Sequence, residues 1–382
     1  MRRHSGLQGG LLRGEARWIV PVGLAASAIA LAAVALLIAQ RGIGRDYASY
    51  DLSAYVEAAR RLHDGAPLYP QLAEGGYQLG QVNLYLYPPP VALLFTPALV
   101  VPLPVASTIW GIALTALAIA VAATIAVAVT PARRPLAFAM VLGAFPLEWE
   151  LANGNLTLVT LALALLAWRS RPGWRAATPL ALAMGLKLLA APVALTLMVA
   201  GRWRLLALTG ALLAAAVLVT WPFLGGAWSD WIRLSFQLAA GPQTLTYNIV
   251  PSPLRAGMGR ALLLGGALVA LVVIGAFVRA RRLSPALGFS AALAAAPYVS
   301  AFVLYPYAVL ALPVIVWISL GRVAVSARLA GLAAWLLIDL QALDPDTVVP
   351  TALIGTVLAV GTTITIGGRT HVERPAPPGP EP

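Results

Sequence analysis

The chain has 382 residues, 60% of them hydrophobic and only 10% charged, with a formal net charge of +12. Soluble domains carry roughly 25% charged residues, so this composition excludes a fully hydrated surface and points to an all-α polytopic membrane protein. The Arg residues fall in short loops between apolar runs, as cytoplasmic loops require, so no nucleic-acid partner is expected; with no Cys, disulfides and thiolate chemistry are excluded too.

The first apolar run, Trp18–Gln40, follows Arg2, Arg3, Arg13 and Arg17. It is too long for a signal-peptide core and reads as an uncleaved span with a cytoplasmic N-terminus. Residues 41–90 form the longest polar interval and read as the first outer loop. Within it Asp51 opens an amphipathic helix: Leu52, Tyr55, Val56, Ala59 and Leu62 share one face, and Glu57, Arg60, Arg61 and Asp64 the other. Gly65 and Pro67 end it. Val91–Val101 is too short to cross a bilayer and is interrupted by Pro97, which suits a re-entrant or interfacial segment.

Residues 105–129 then run inward to Arg133 and Arg134, and 136–147 climb to an outer loop at Glu148-Trp149-Glu150. Residues 155–168 return to Arg169, Arg171 and Arg175. The block 176–200 has basic residues at both ends, which fits a hairpin broken near Lys187–Pro192 with Lys187 at its outer tip. Residues 205–224 lead to a second outer loop, 225–255, and 258–278 return to Arg279, Arg281 and Arg282. Segments 286–300 and 302–320 make a hairpin, and 329–343 and 348–366 enclose an outer loop with Asp344 and Asp346. The whole of 1–366 reads as a single transmembrane domain, with about 10–12 membrane helices beside the amphipathic one. The Pro-rich tail 367–382 is expected to be disordered and cytoplasmic.

On this path nearly all acids lie outside, from Asp46 and Asp51 through Glu148, Glu150 and Asp230 to Asp346. Acids contribute little to orientation, so an outer active site is the better reason for their clustering. Asp51 reads either as a helix N-cap or as a general base. Lys187 is the only Lys and interrupts an apolar block; it either snorkels to the interface or meets a negatively charged group. Asn153 and Asn155 are helix caps or sugar contacts. Asn155-Leu156-Thr157 has the form of a glycosylation acceptor but begins a span. Trp149, Trp228 and Trp231 suit an interfacial belt better than sugar-stacking platforms, the other reading.

Asp51-Leu-Ser-Ala-Tyr55, Ala58-Ala59-Arg60 and Gly65-Ala-Pro-Leu68-Tyr69 resemble the first outer loop of polyprenyl-phosphate-mannose-dependent mannosyltransferases of glycosyltransferase family 87. Tyr87-Pro88-Pro89, Asn153-Gly154-Asn155 and Gly185-Leu186-Lys187 with Pro192 resemble that family's following blocks. Downstream the likeness fades to Pro297–Tyr307, where Tyr305-Pro306-Tyr307 interrupts a late span and its freed carbonyls need a polar cavity or neighbour.

The resemblance implies a GT-C-type fold and a multi-pass protein of the cell membrane, its active site extracytoplasmic. The implied reaction moves a sugar, mannose first among the options, from a polyprenyl-phosphate donor to a hydroxyl of a glycolipid or glycan acceptor. Asp51 matches the base, with Asp46 a nearby competitor, and Lys187 suits the donor phosphate. Asp46, Tyr55, Tyr87, Glu148, Asn153, Asn155 and Tyr307 are the candidate substrate contacts. Glu148-Trp149-Glu150 and Asp344-Pro345-Asp346 look like the D-x-D signature that binds a metal on a sugar nucleotide. A lipid-phosphate donor has no nucleotide, so neither metal nor other cofactor is expected. The rival readings are a transporter or flippase for an anionic lipid or sugar, and a non-catalytic membrane scaffold.

Overall fold

The structure is a computed structural model. It describes residues 18–33, 36, 50–72, 85–240, 250–254, 257–300, 303–341 and 350–369. The helices are α1 (Trp18–Ala33), α2 (Tyr50–His63), α3 (Pro89–Leu93), α4 (Leu103–Ala126), α5 (Arg134–Leu142), α6 (Phe145–Asn153), α7 (Thr157–Arg169), α8 (Trp174–Leu186), α9 (Val193–Val199), α10 (Trp203–Ala240), α11 (Gly257–Arg279), α12 (Pro285–Ala295), α13 (Leu312–Leu320), α14 (Val325–Leu340) and α15 (Thr351–Arg369). The protein is an all-α polytopic membrane protein.

Among the described residues, α4, most of α10, α11 and α15 are long and apolar enough to cross a membrane singly. Two bent pairs can each serve as one more span: residues 131–142 with α6, bent by 49°, and α8 with residues 188–199, bent by 120°. The expected 10–12 crossings therefore have to include shorter apolar helices such as α7 and residues 305–320.

Two apolar clusters divide the molecule. The larger one fills the helix bundle with residues such as Leu114, Leu158, Ala183, Leu271, Leu293 and Ile315. The smaller one is a cap, built on Leu52, Tyr55 and Val56 of α2 with Tyr69, Tyr85, Val91 and Phe95. The apolar face read from the sequence is the buried face of α2, while Glu57 on the other face pairs with Arg60 at 2.8 Å and Arg61 at 3.6 Å. Tyrosine hydroxyls tie the cap together where apolar side chains would leave backbone carbonyls bare. Tyr69 donates to the Tyr87 carbonyl at 2.7 Å and Tyr85 to that of Pro88 at 2.8 Å.

Two expectations need correction. Residues 225–240 are not loop, because α10 runs through Gly225-Gly226 with a kink at Leu224. The extension is held from the side: Leu234 is buried in the cap, Trp231 donates to the Leu86 carbonyl at 3.3 Å, and Arg233 pairs with Asp230. Likewise Glu148 and Glu150 sit on α6 rather than in a loop. Asp339 secures the start of that helix by accepting a hydrogen bond from the Phe145 amide at 3.1 Å, the arrangement a helix N-terminus favours.

Candidate functional site

The site forms at the seam between cap and bundle, where two helix breaks meet. At the first, Gly154 adopts φ +71° and closes α6, its amide donating to the Glu150 carbonyl at 2.9 Å. A left-handed residue there favours glycine. Trp110 of α4 donates to the Gly154 carbonyl at 2.9 Å and fixes the turn. Asn155 then starts α7 through its side chain, whose Oδ1 accepts from the Thr157 amide at 2.9 Å. The second break is at Lys187, where the backbone turns extended after α8. Helix cannot simply continue, because the ring of Pro192 would strike the carbonyl four residues earlier and offers no N–H.

Leu156 and Leu186, next to these breaks, pack into the cap, while Leu158 and Ala183 pack into the bundle. Asn155 and Lys187 are thereby held at the boundary, and they meet. Lys187 Nζ donates to Asn155 Oδ1 at 2.7 Å and to Thr157 Oγ1 at 2.8 Å. The Thr157 hydroxyl lies 2.7 Å from Asn155 Oδ1 and donates to it. Ammonium and backbone amide are donors only, so Asn155 must turn its oxygen toward them. Its Nδ2 consequently faces Asp51, donating to Oδ2 at 2.7 Å.

Asp51 is half-buried in the first turn of α2. Burial pushes its carboxyl above the usual range, and Lys187 and the Asn155 hydrogen bond act in the opposite direction. Aromatic rings close the Lys187 side: its Nζ lies 4.2 Å from the Tyr307 ring centre and 5.4 Å from that of Tyr87, within cation–π range. Tyr55 donates to the Tyr87 hydroxyl at 2.8 Å. Chemically, the cluster offers one half-buried acid and one buried cation, bridged by Asn155 and walled by phenol groups.

Of the residues singled out in the sequence, Asp51, Tyr55, Tyr87, Asn155, Lys187 and Tyr307 come together here. Asn153 does not; its Nδ2 donates to the Trp149 carbonyl within α6 at 2.9 Å. Glu148 faces another group, beside Asp339 and Tyr305. Asp46, Asp344 and Asp346 lie outside the described residues. Two members were missed. Thr157 was visible only as the third residue of a glycosylation-like triplet. Glu150 was seen as half of an acid pair, but residues two apart on a helix point to nearly opposite sides, and it is Glu150 that turns inward, fully buried. Its Oε2 accepts from the Leu158 amide at 3.0 Å.

The family model for glycosyltransferase family 87 matches residues 85–313. That range takes in Tyr87, Glu150, Asn155, Lys187 and Tyr307, and begins after Asp51. No curated protein and no solved structure matches the chain. A match over more than half of the sequence, on a polytopic helical protein, shows that the chain belongs to glycosyltransferase family 87.

Proposed function

We propose that this membrane glycosyltransferase moves a sugar, mannose in the first instance, from a polyprenyl phosphate to a hydroxyl of a glycolipid or glycan at the outer face of the membrane, with Asp51 as general base. The observation that carries the reading is the Asp51–Asn155–Lys187 chain, in which one half-buried acid is fixed relative to one buried cation. Asp51 takes the proton from the acceptor hydroxyl as that oxygen attacks the anomeric carbon. The bond from that carbon to the phosphate oxygen breaks, and its electron pair leaves with the polyprenyl phosphate.

A phosphate leaving group needs no general acid, unlike the alkoxide expelled by a glycoside hydrolase. It needs positive charge where negative charge develops, and Lys187 supplies it. Tyr87, half-buried, would bound the sugar, with the buried Tyr55 behind it holding its hydroxyl and Tyr307 backing Lys187. Asn155 holds Asp51 rather than the substrate. The outer-face assignment rests on the distribution of Arg: Arg169, Arg171 and Arg175 lie at the ends of α7 and α8 opposite the site, while Arg60 and Arg61 on α2 are paired with Glu57.

Asp51→Asn keeps size and hydrogen-bonding capacity but cannot accept the proton. With purified protein in detergent and a labelled polyprenyl-phosphate mannose, transfer to membrane glycolipid should fall by roughly 10²-fold or more while donor binding persists. Wild-type rates in that variant would remove Asp51 as the base.

A further inference from the structure

Glu150 is absent from this mechanism, yet it is the most deeply buried carboxylate described, with no exposed surface. Its two oxygens differ. Oε2 takes the Leu158 amide in the first turn of α7, while Oε1 is buried with no hydrogen bond of good geometry, the Thr157 hydroxyl being the nearby side-chain donor to the carboxylate. A buried carboxylate oxygen without a well-placed donor is costly, so packing or capping alone is a poor reason for an acid here; a Gln would cap the same amide. What distinguishes the acid is its charge, and the nearby opposite charge is Lys187. The two are linked through α7: Glu150 holds Leu158, and Lys187 donates to the adjoining Thr157. No direct ion pair joins them among the described residues. The carboxylate therefore acts on the ammonium through the field and through the turn they share.

We propose that Glu150 is a positioning residue for Lys187, fixing the first turn of α7 and supplying the buried negative charge that holds the ammonium on Thr157 and Asn155. This rests on the reading of Lys187 as the group that meets the donor phosphate. It also explains how a lone Lys is retained at 8% exposure. Asp51, the other nearby acid, stays free for the acceptor because it does not have to balance that cation alone.

The test is a double-mutant cycle in detergent-solubilised protein, reading Tm, with transfer assayed in parallel. Glu150→Gln and Lys187→Met each leave a buried charge without its counterpart, which is strongly destabilising, whereas removing both charges is tolerated better. Glu150→Gln/Lys187→Met should therefore melt above Glu150→Gln alone, and a double variant no more stable than that single overturns the proposal, whether it melts lower or fails to fold. In the transfer assay Glu150→Gln should lose kcat/KM by roughly tenfold or more, mainly through KM for the lipid donor, and Glu150→Asp, which restores charge, should recover part of it. An unchanged donor KM in Glu150→Gln also overturns it. Failure of the wild type to use any polyprenyl-phosphate sugar would instead sink the donor assignment and leave the Tm cycle to judge the Glu150–Lys187 coupling by itself.

Discussion

Asn155 decides what Asp51 can do. With its oxygen committed to Lys187 and Thr157, its amide nitrogen can only donate to Asp51, which favours the ionised carboxylate. Burial opposes this and raises the Asp51 pKa; Lys187 lowers it, with Tyr50, Tyr55, Tyr87 and Glu150 as the other titratable groups around it. In the role proposed for it Asp51 acts when ionised, so transfer should be lost as pH falls through that raised pKa. Asn155→Leu removes a hydrogen bond that lowers the pKa, so the acid limb of kcat/KM against pH should move to higher pH than in the wild type. An acid limb that stays in place would mean that it reports some group other than Asp51. Asp51 and Lys187 were legible in the sequence because a charge inside or beside an apolar run needs a reason. Glu150 was not, because its neighbour Glu148 carries the same chemistry and only the phase of α6 separates them.

At the scale of elements, the breaks were more legible than the helices. Gly154-Asn155 and Lys187 with Pro192 are local signals for ending and restarting a helix, and both breaks are present. The extension of α10 beyond Gly225-Gly226 was hidden, since what supports it comes from far away: the Leu86 carbonyl and the apolar cap. At 38 residues and about 1.5 Å per residue, α10 is much longer than a hydrocarbon core of about 30 Å, so one end must leave the bilayer. The seam itself depends on Gly154. Gly154→Ala puts a Cβ on a residue at φ +71°, at a cost of about 1–2 kcal/mol. Tm should fall by a few degrees, and because the same turn carries Asn155, transfer should fall more than the stability loss accounts for. A variant with lowered Tm but full activity would show that Asn155 keeps its place without the left-handed turn.

Over the whole molecule, most of the Arg residues and the candidate site lie at opposite helix ends, with Arg60, Arg61 and Arg233 paired to acids at the cap. Helix α7 runs from Thr157 in the site to Arg169, and α8 from Trp174, beside Arg175, back to the break at Lys187. The ends away from the site also converge: Arg133 donates to the Leu320 carbonyl at 3.1 Å, and Met198, Trp203 and Arg279 line one cleft. Elsewhere the helices are packed closely enough that a Cβ on Gly355 would come within 2.7 Å of the Ala334 carbonyl. Such packing makes one orientation a property of the molecule rather than of each span. Positive-inside bias then predicts that the Arg-rich end is cytoplasmic and the cap lies outside. The absence of Cys makes this directly measurable with single cysteines at exposed sites. In sealed, right-side-out vesicles a membrane-impermeant maleimide should label Asp64→Cys, just beyond α2, while Arg171→Cys, between α7 and α8, should react only after the vesicles are opened. The reverse pattern would put Asp51 on the cytoplasmic side, where an acceptor displayed on the outer leaflet cannot reach it.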